Sequence, residues 1–93
     1  MDVRVLADYI VKKSCEETTT GNYHISFSDL TKRFPALRED WIKQNTEEIV
    51  NEILRHRDKV IEVERDVENG EICGFDLALW LDACPNYEEE KEF

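Results

Sequence analysis

The sequence predicts a small α+β domain of three helices, one short strand and a C-terminal β-hairpin, and three observations carry that prediction. Apolar residues recur at helical spacing in two stretches, Val3 to Ser14 and Leu37 to Leu54. Ile25-Ser26-Phe27 alternates over a length that suits one edge strand. Asn69-Gly70 lies between two runs rich in β-branched residues, the strongest short-range hairpin signal a sequence offers.

In chain order, Asp2 can cap a first helix. Val3, Leu6, Ala7, Ile10 and Ser14 share one face of it, and Arg4, Asp8, Lys12 and Glu16 lie outside. It is expected to end near Glu16 or Glu17, before the turn-forming stretch Thr18 to Asn22. After the strand, Ser28 is read as the cap of a short helix running to Phe34 and stopped by Pro35. The third helix begins near Leu37 or Arg38, with Trp41, Ile42, Ile49, Val50, Ile53 and Leu54 in its apolar stripe. The polar run Lys43 to Glu48 interrupts that stripe, and we expect one helix through it rather than two meeting at Asn45 or Thr46.

The hairpin Val60 to Leu81 can be tested for register. A two-residue loop would oppose Val63 with Asp76 and leave no apolar face. A three-residue loop, Glu68 to Gly70, pairs Val63 with Phe75 and Ile61 with Leu77 and is the expected register. It gives an apolar face of Ile61, Val63, Cys73, Phe75 and Leu77, and an opposite face of Glu62, Glu64, Asp66 and Asp76, with Glu62 across from Asp76. Residues 76–84 fit either a strand or a short helix ending before Pro85. The expected domain is 1–85, with 86–93 as a solvated acidic tail.

Charge is unevenly distributed. The formal charge is −10, and residues 60–93 contribute −9 of it, with eleven acids and two bases. Such a surface repels phosphate and attracts basic protein surfaces. Cys15, Cys73 and Cys84 are odd in number and lack C-x-x-C spacing, so no disulfide framework is expected. Without a signal peptide or a long apolar run, a reducing cytoplasm is the expected location.

No enzyme chemistry, metal or cofactor is expected. His56-Arg57-Asp58 spells the kinase catalytic-loop tripeptide, but Val63 stands where the metal-binding Asn belongs and no Gly-rich loop exists. His24, His56 and the cysteines lack ligand spacing. Trp41 is read as core, whereas Trp80, as a strand residue, would point to the acidic face as a candidate interface anchor.

The order helix, short strand, short helix, longer helix and two-stranded ribbon resembles the winged-helix variant of the helix-turn-helix over about residues 2–79. That resemblance implies duplex-DNA binding, with Arg38, Lys43, Gln44 and Asn45 in the first turns of the recognition-position helix and Lys32 and Arg33 on phosphate. The wing departs from it, offering Glu62, Glu64, Asp66, Glu68 and Glu71 with only Arg65 between them. The leading expectation is therefore a non-enzymatic protein-binding module. Its acidic face, with Glu62, Glu64, Asp66, Glu68, Glu71, Asp76 and Trp80, would dock on a basic surface of a partner. By analogy that is the logic of a DNA mimic, as in phage-encoded inhibitors of host nucleases such as anti-CRISPR proteins. The rival expectation is a transcription regulator reading duplex DNA through residues 38–45. A homodimer packing through Leu79, Trp80 and Leu81 is a third.

Overall fold

The first helix follows its sequence signals closely. In the computed structural model, which describes residues 1–85, α1 spans Val3–Glu17, and the Asp2 carboxylate accepts from the Arg4 backbone N–H at 2.8 Å as its cap. Leu6, Ala7 and Ile10 are fully buried. The next two elements lie slightly earlier than expected. β1 is Asn22–Ser26, and α2 is Phe27–Arg33, so Phe27 opens a helix instead of closing a strand. The cap is Ser26, not Ser28: its hydroxyl accepts from the Asp29 N–H while the Asp29 carboxylate accepts from the Ser26 N–H.

The stripe from Leu37 to Leu54 is two helices, contrary to the single one expected. α3 (Glu39–Gln44) and α4 (Thr46–Leu54) meet at Asn45, whose side-chain amide donates to the Trp41 carbonyl at 2.8 Å. The Thr46 hydroxyl also turns back, onto the Ile42 and Lys43 carbonyls, each at 2.9 Å. Two adjacent side chains bonded to the preceding turn compete with the regular ladder, which is a known cause of a break. Among the described residues there are thus four α-helices rather than three, with a short 3₁₀ turn at Leu81–Ala83. Ile49 and Ile53 of α4 are fully buried where that helix packs on α1. Trp41 is half-buried against the same core.

β2 (Val60–Glu68) and β3 (Glu71–Leu79) form the hairpin, and β1 adds to the other edge of β3, giving an antiparallel sheet in the order β1-β3-β2. The described chain is therefore an α+β fold with one face of a three-stranded sheet on the core. The open question over residues 76–84 resolves as strand to Leu79, followed by the 3₁₀ turn.

The expected register is overturned. The loop has two residues, Asn69 and Gly70, both with positive φ (52° and 80°), as a type I′ turn requires. Regular pairing from that turn would oppose Val63 with Asp76, but a β-bulge intervenes. Asp66 pairs with Gly74 and Val67 with Ile72, leaving Cys73 as the extra residue. One added residue changes the parity, so Val63 faces Leu77, Arg65 faces Phe75 and Glu64 faces Asp76. Glu62 faces Ala78, not Asp76, and a second irregularity at Ile61 leaves that side chain 48% exposed instead of in the core. Phe75 and Leu77 are buried, and the rings of Phe75 and Phe27 meet at 5.6 Å.

The cysteines depart from expectation too. Cys15 of α1 and Cys84 after the 3₁₀ turn form a buried disulfide, with Cα atoms 5.0 Å apart, joining positions separated by 69 in the sequence. They are placed by the fold, since no short spacing in the sequence announces the pair. Cys73 is the free cysteine among the described residues. It lies on the bulge rather than the apolar face, with its thiol 3.5 Å from Asp66 Oδ2. The proposed acidic tail, 86–93, lies outside the described residues.

Candidate functional site

The outer face of the sheet is built by strand alternation. With Ile25, Phe75 and Leu77 turned inward, the rungs Asn22-Ala78-Glu62, His24-Asp76-Glu64 and Ser26-Gly74-Asp66 turn outward across all three strands. Glu62, Glu64, Asp66 and Asp76 therefore share one face, as the sequence predicts, although by a different register. Asn22, Glu62, Glu64, Asp76, Leu77 and Ala78 line a shallow depression of about 130 Å³ there.

His24 is the base on this face that sequence reasoning missed. Its Nδ1 is 2.8 Å from Asp76 Oδ1 and 3.7 Å from Asp66 Oδ2. A strand drawn as Ile25 to Phe27 left His24 out of the sheet. The signal that could have found it is alternation: if Ile25 faces the core, His24 faces away. Its ring lies across Gly74, where an added Cβ would come within 3.1 Å of His24 Cε1 and 2.6 Å of the Ile25 carbonyl. The Cys73 thiol is held above its ordinary range, by partial burial first and then by its hydrogen bond to Asp66 and the surrounding carboxylates.

The remaining predicted partner-binding residues lie at the two ends of the hairpin. Glu68 and Glu71 face each other at the hairpin tip. Glu71 Oε1 accepts from Lys43 Nζ at 2.9 Å. That hydrogen bond, followed by charge attraction, holds the Glu71 carboxyl below and the Lys43 ammonium above their usual ranges. Trp80 is 49% exposed and sits one residue past the end of β3, with its backbone N–H on the Lys59 carbonyl.

The residues of the DNA-reading alternative do not gather on one helix turn. Lys43 is occupied by Glu71, and Asn45 by the Trp41 carbonyl. Arg33 stacks its guanidinium on Tyr9 and Phe34, 5.4 and 4.8 Å from the ring centres. Lys32 and Arg33 line a cleft of about 380 Å³ with Tyr9, Lys13, Tyr23 and Asp29. Arg38, the N-cap of α3, and Gln44, its last residue, are exposed at opposite ends. His56 of the kinase-like tripeptide pairs with Asp8 of α1 at 2.8 Å. Leu79 is buried and so gives no surface to a second copy.

No family model matches the chain, no curated protein matches it, and no solved structure matches it. No helix among the described residues is long and apolar enough to cross a membrane.

Proposed function

We propose that this chain is a non-enzymatic, winged-helix-like protein-binding module whose acidic sheet face docks on a basic surface of a protein partner, in the manner of a DNA mimic that occupies a nucleic-acid site. The observation that carries this reading is the convergence of Glu62, Glu64, Asp66 and Asp76 on one face, with Glu68 and Glu71 continuing it to the tip. His24 is the one base that alternation places among the first four. Carboxylates set at strand spacing on a rigid sheet attract a basic patch and steer its approach. Trp80 stays in the reading as a separate exposed anchor just past the C-terminal end of β3.

The charge-reversed chain Glu62→Lys/Glu64→Lys/Glu68→Lys tests this reading. The wild-type chain is expected to retain a partner in a pull-down from lysate of the source cell at low salt and to release it as salt rises. The triple variant is expected to retain nothing. Retention of the same partner by both chains, independent of salt, would remove the reading.

The duplex-DNA alternative is favoured by one observation, the exposed Lys32 and Arg33 beside Lys13 on a flank distinct from the acidic face. Against it, the first turn of α3 carries Glu39 and Asp40, both exposed, where a recognition helix would approach phosphate. Gel retardation at about 50 mM salt decides, because phosphate contacts are strongest at low salt. We expect none.

A further inference from the structure

We propose that His24, Asp66 and Asp76 form a binding site for a divalent first-row transition ion of the zinc type, one ligand from each strand of the sheet. The inference goes beyond the docking surface. It concerns an ion that the isolated chain would take without any partner.

The geometry comes first. One nitrogen and two carboxylate oxygens, from His24, Asp66 and Asp76, all lie within 4.8 Å of one another, with the nitrogen 2.8 and 3.7 Å from its two neighbours. Around a tetrahedral ion with bonds of about 2.0–2.1 Å, ligand atoms stand roughly 3.3 Å apart. The three donors therefore already stand near the spacing that such an ion requires. Their backbones are fixed by two ladders, β1 on β3 and β2 on β3.

The sheet is also shaped for this arrangement. His24 sits beside Asp76 by register, and Asp66 sits beside Gly74. For the imidazole to reach across to Asp66, the position between them must lack a side chain, and it does. A Cβ on Gly74 would crowd both the His24 ring and the β1 backbone. The bulge at Cys73 directly precedes this glycine and sets the parity that puts Asp66 on the ring's side.

The donor chemistry selects the class of ion. Imidazole with two carboxylates suits zinc and its first-row neighbours, whereas calcium and magnesium prefer oxygen alone. Two carboxylates brought this close, with Glu64 opposite Asp76, repel one another, and a dication relieves that repulsion where a neutral imidazole only bridges it. Three protein ligands leave a position open to water or to a donor from a partner.

The test uses the full chain stripped of metal with a chelator. Zinc is titrated calorimetrically, and cobalt serves as a probe whose visible bands report its ligand geometry. One ion per chain is expected, with intensified cobalt bands. His24→Gln and Asp76→Asn should each weaken binding at least about tenfold, the scale on which even the outer partners of a metal act. Asp76→Asn still offers an oxygen to the His24 N–H, so it separates a metal ligand from a structural hydrogen-bond partner. His56→Gln should bind as wild type. Circular dichroism of each metal-free variant checks folding, and His24, being exposed, tolerates exchange. The proposal is overturned if zinc gives no saturable signal or binds His24→Gln unchanged. It is equally overturned if calcium binds as tightly as zinc regardless of His24. No partner enters this titration, and the charge-reversed triple variant keeps all three donors. Failure here and failure of the docking reading are therefore distinguishable.

Discussion

The two faces of the sheet are made by the same strands and obey opposite rules. On the inner face Ile25, Phe75 and Leu77 are 0–2% exposed and meet the helices. On the outer face Glu62, Glu64, Asp66 and Asp76 lie beside one another with His24 among them. Burying apolar area favours the inner arrangement directly, at roughly 25 cal/mol per Å². Gathering like charges opposes the outer one. The fold tolerates that face because alternation forces it once the inner face is chosen. A surface held against its own repulsion is where a partner, or an ion, has most to offer.

The comparison predicts that stability belongs to the inner face and recognition to the outer. Phe75→Ala should break it most, costing about 3–5 kcal/mol in a denaturant titration as a large core truncation does. An effect under 1 kcal/mol would mean the sheet does not rest on this core. Next in size is the staple between α1 and the end of the sheet. Cys84→Ser should lower stability by about 2–4 kcal/mol, and added reductant should do the same to the wild-type chain. If reductant leaves the unfolding midpoint unchanged, the Cys15–Cys84 bond is not contributing.

A smaller effect is expected at the joint where β1 passes into α2. Ser26→Ala should cost about 1 kcal/mol through loss of the reciprocal cap. The same cap predicts a pH dependence. The Asp29 carboxyl is held below its usual range, chiefly by the Ser26 backbone N–H, so its folded pKa lies below its unfolded one. Its contribution is therefore complete above about pH 4 and fades as pH falls through the folded value. The stability difference between wild type and Asp29→Asn should shrink on acidification in that window. A difference that is constant from neutral pH to below pH 3 would contradict the assignment.

The smallest effect on stability is expected on the outer face, where Glu62→Lys/Glu64→Lys/Glu68→Lys should not lower the denaturation midpoint, because it replaces repulsion with attraction to Asp76 and Glu71. If it unfolds the chain, the acidic face is structural and the comparison fails.

How much was legible follows from the range of each interaction. Asp2 and the apolar stripe of α1 act within a few residues, and both read correctly. Asn69-Gly70 located the hairpin, and binary patterning put four acids on one face. The register did not read correctly, because the bulge at Cys73 is invisible to a rule that counts residues back from the turn. The break at Asn45 was one of two options in the sequence, and it is decided by side chains bonding back to the Trp41 and Ile42 carbonyls. His24 needed the pairing of β1 with β3, a contact between segments some fifty residues apart.

By itself, the sequence determined that helices and a hairpin would form around one apolar core and that its surplus charge would lie late in the chain. Local propensity and solvent partition are sufficient for that. The tertiary structure alone decided that Cys15 meets Cys84, that a bulged residue restores the parity of the ribbon, and that His24 comes to rest between Asp66 and Asp76 over Gly74. Each of these is a meeting of distant segments, fixed by which faces must be buried together rather than by any residue's own preference.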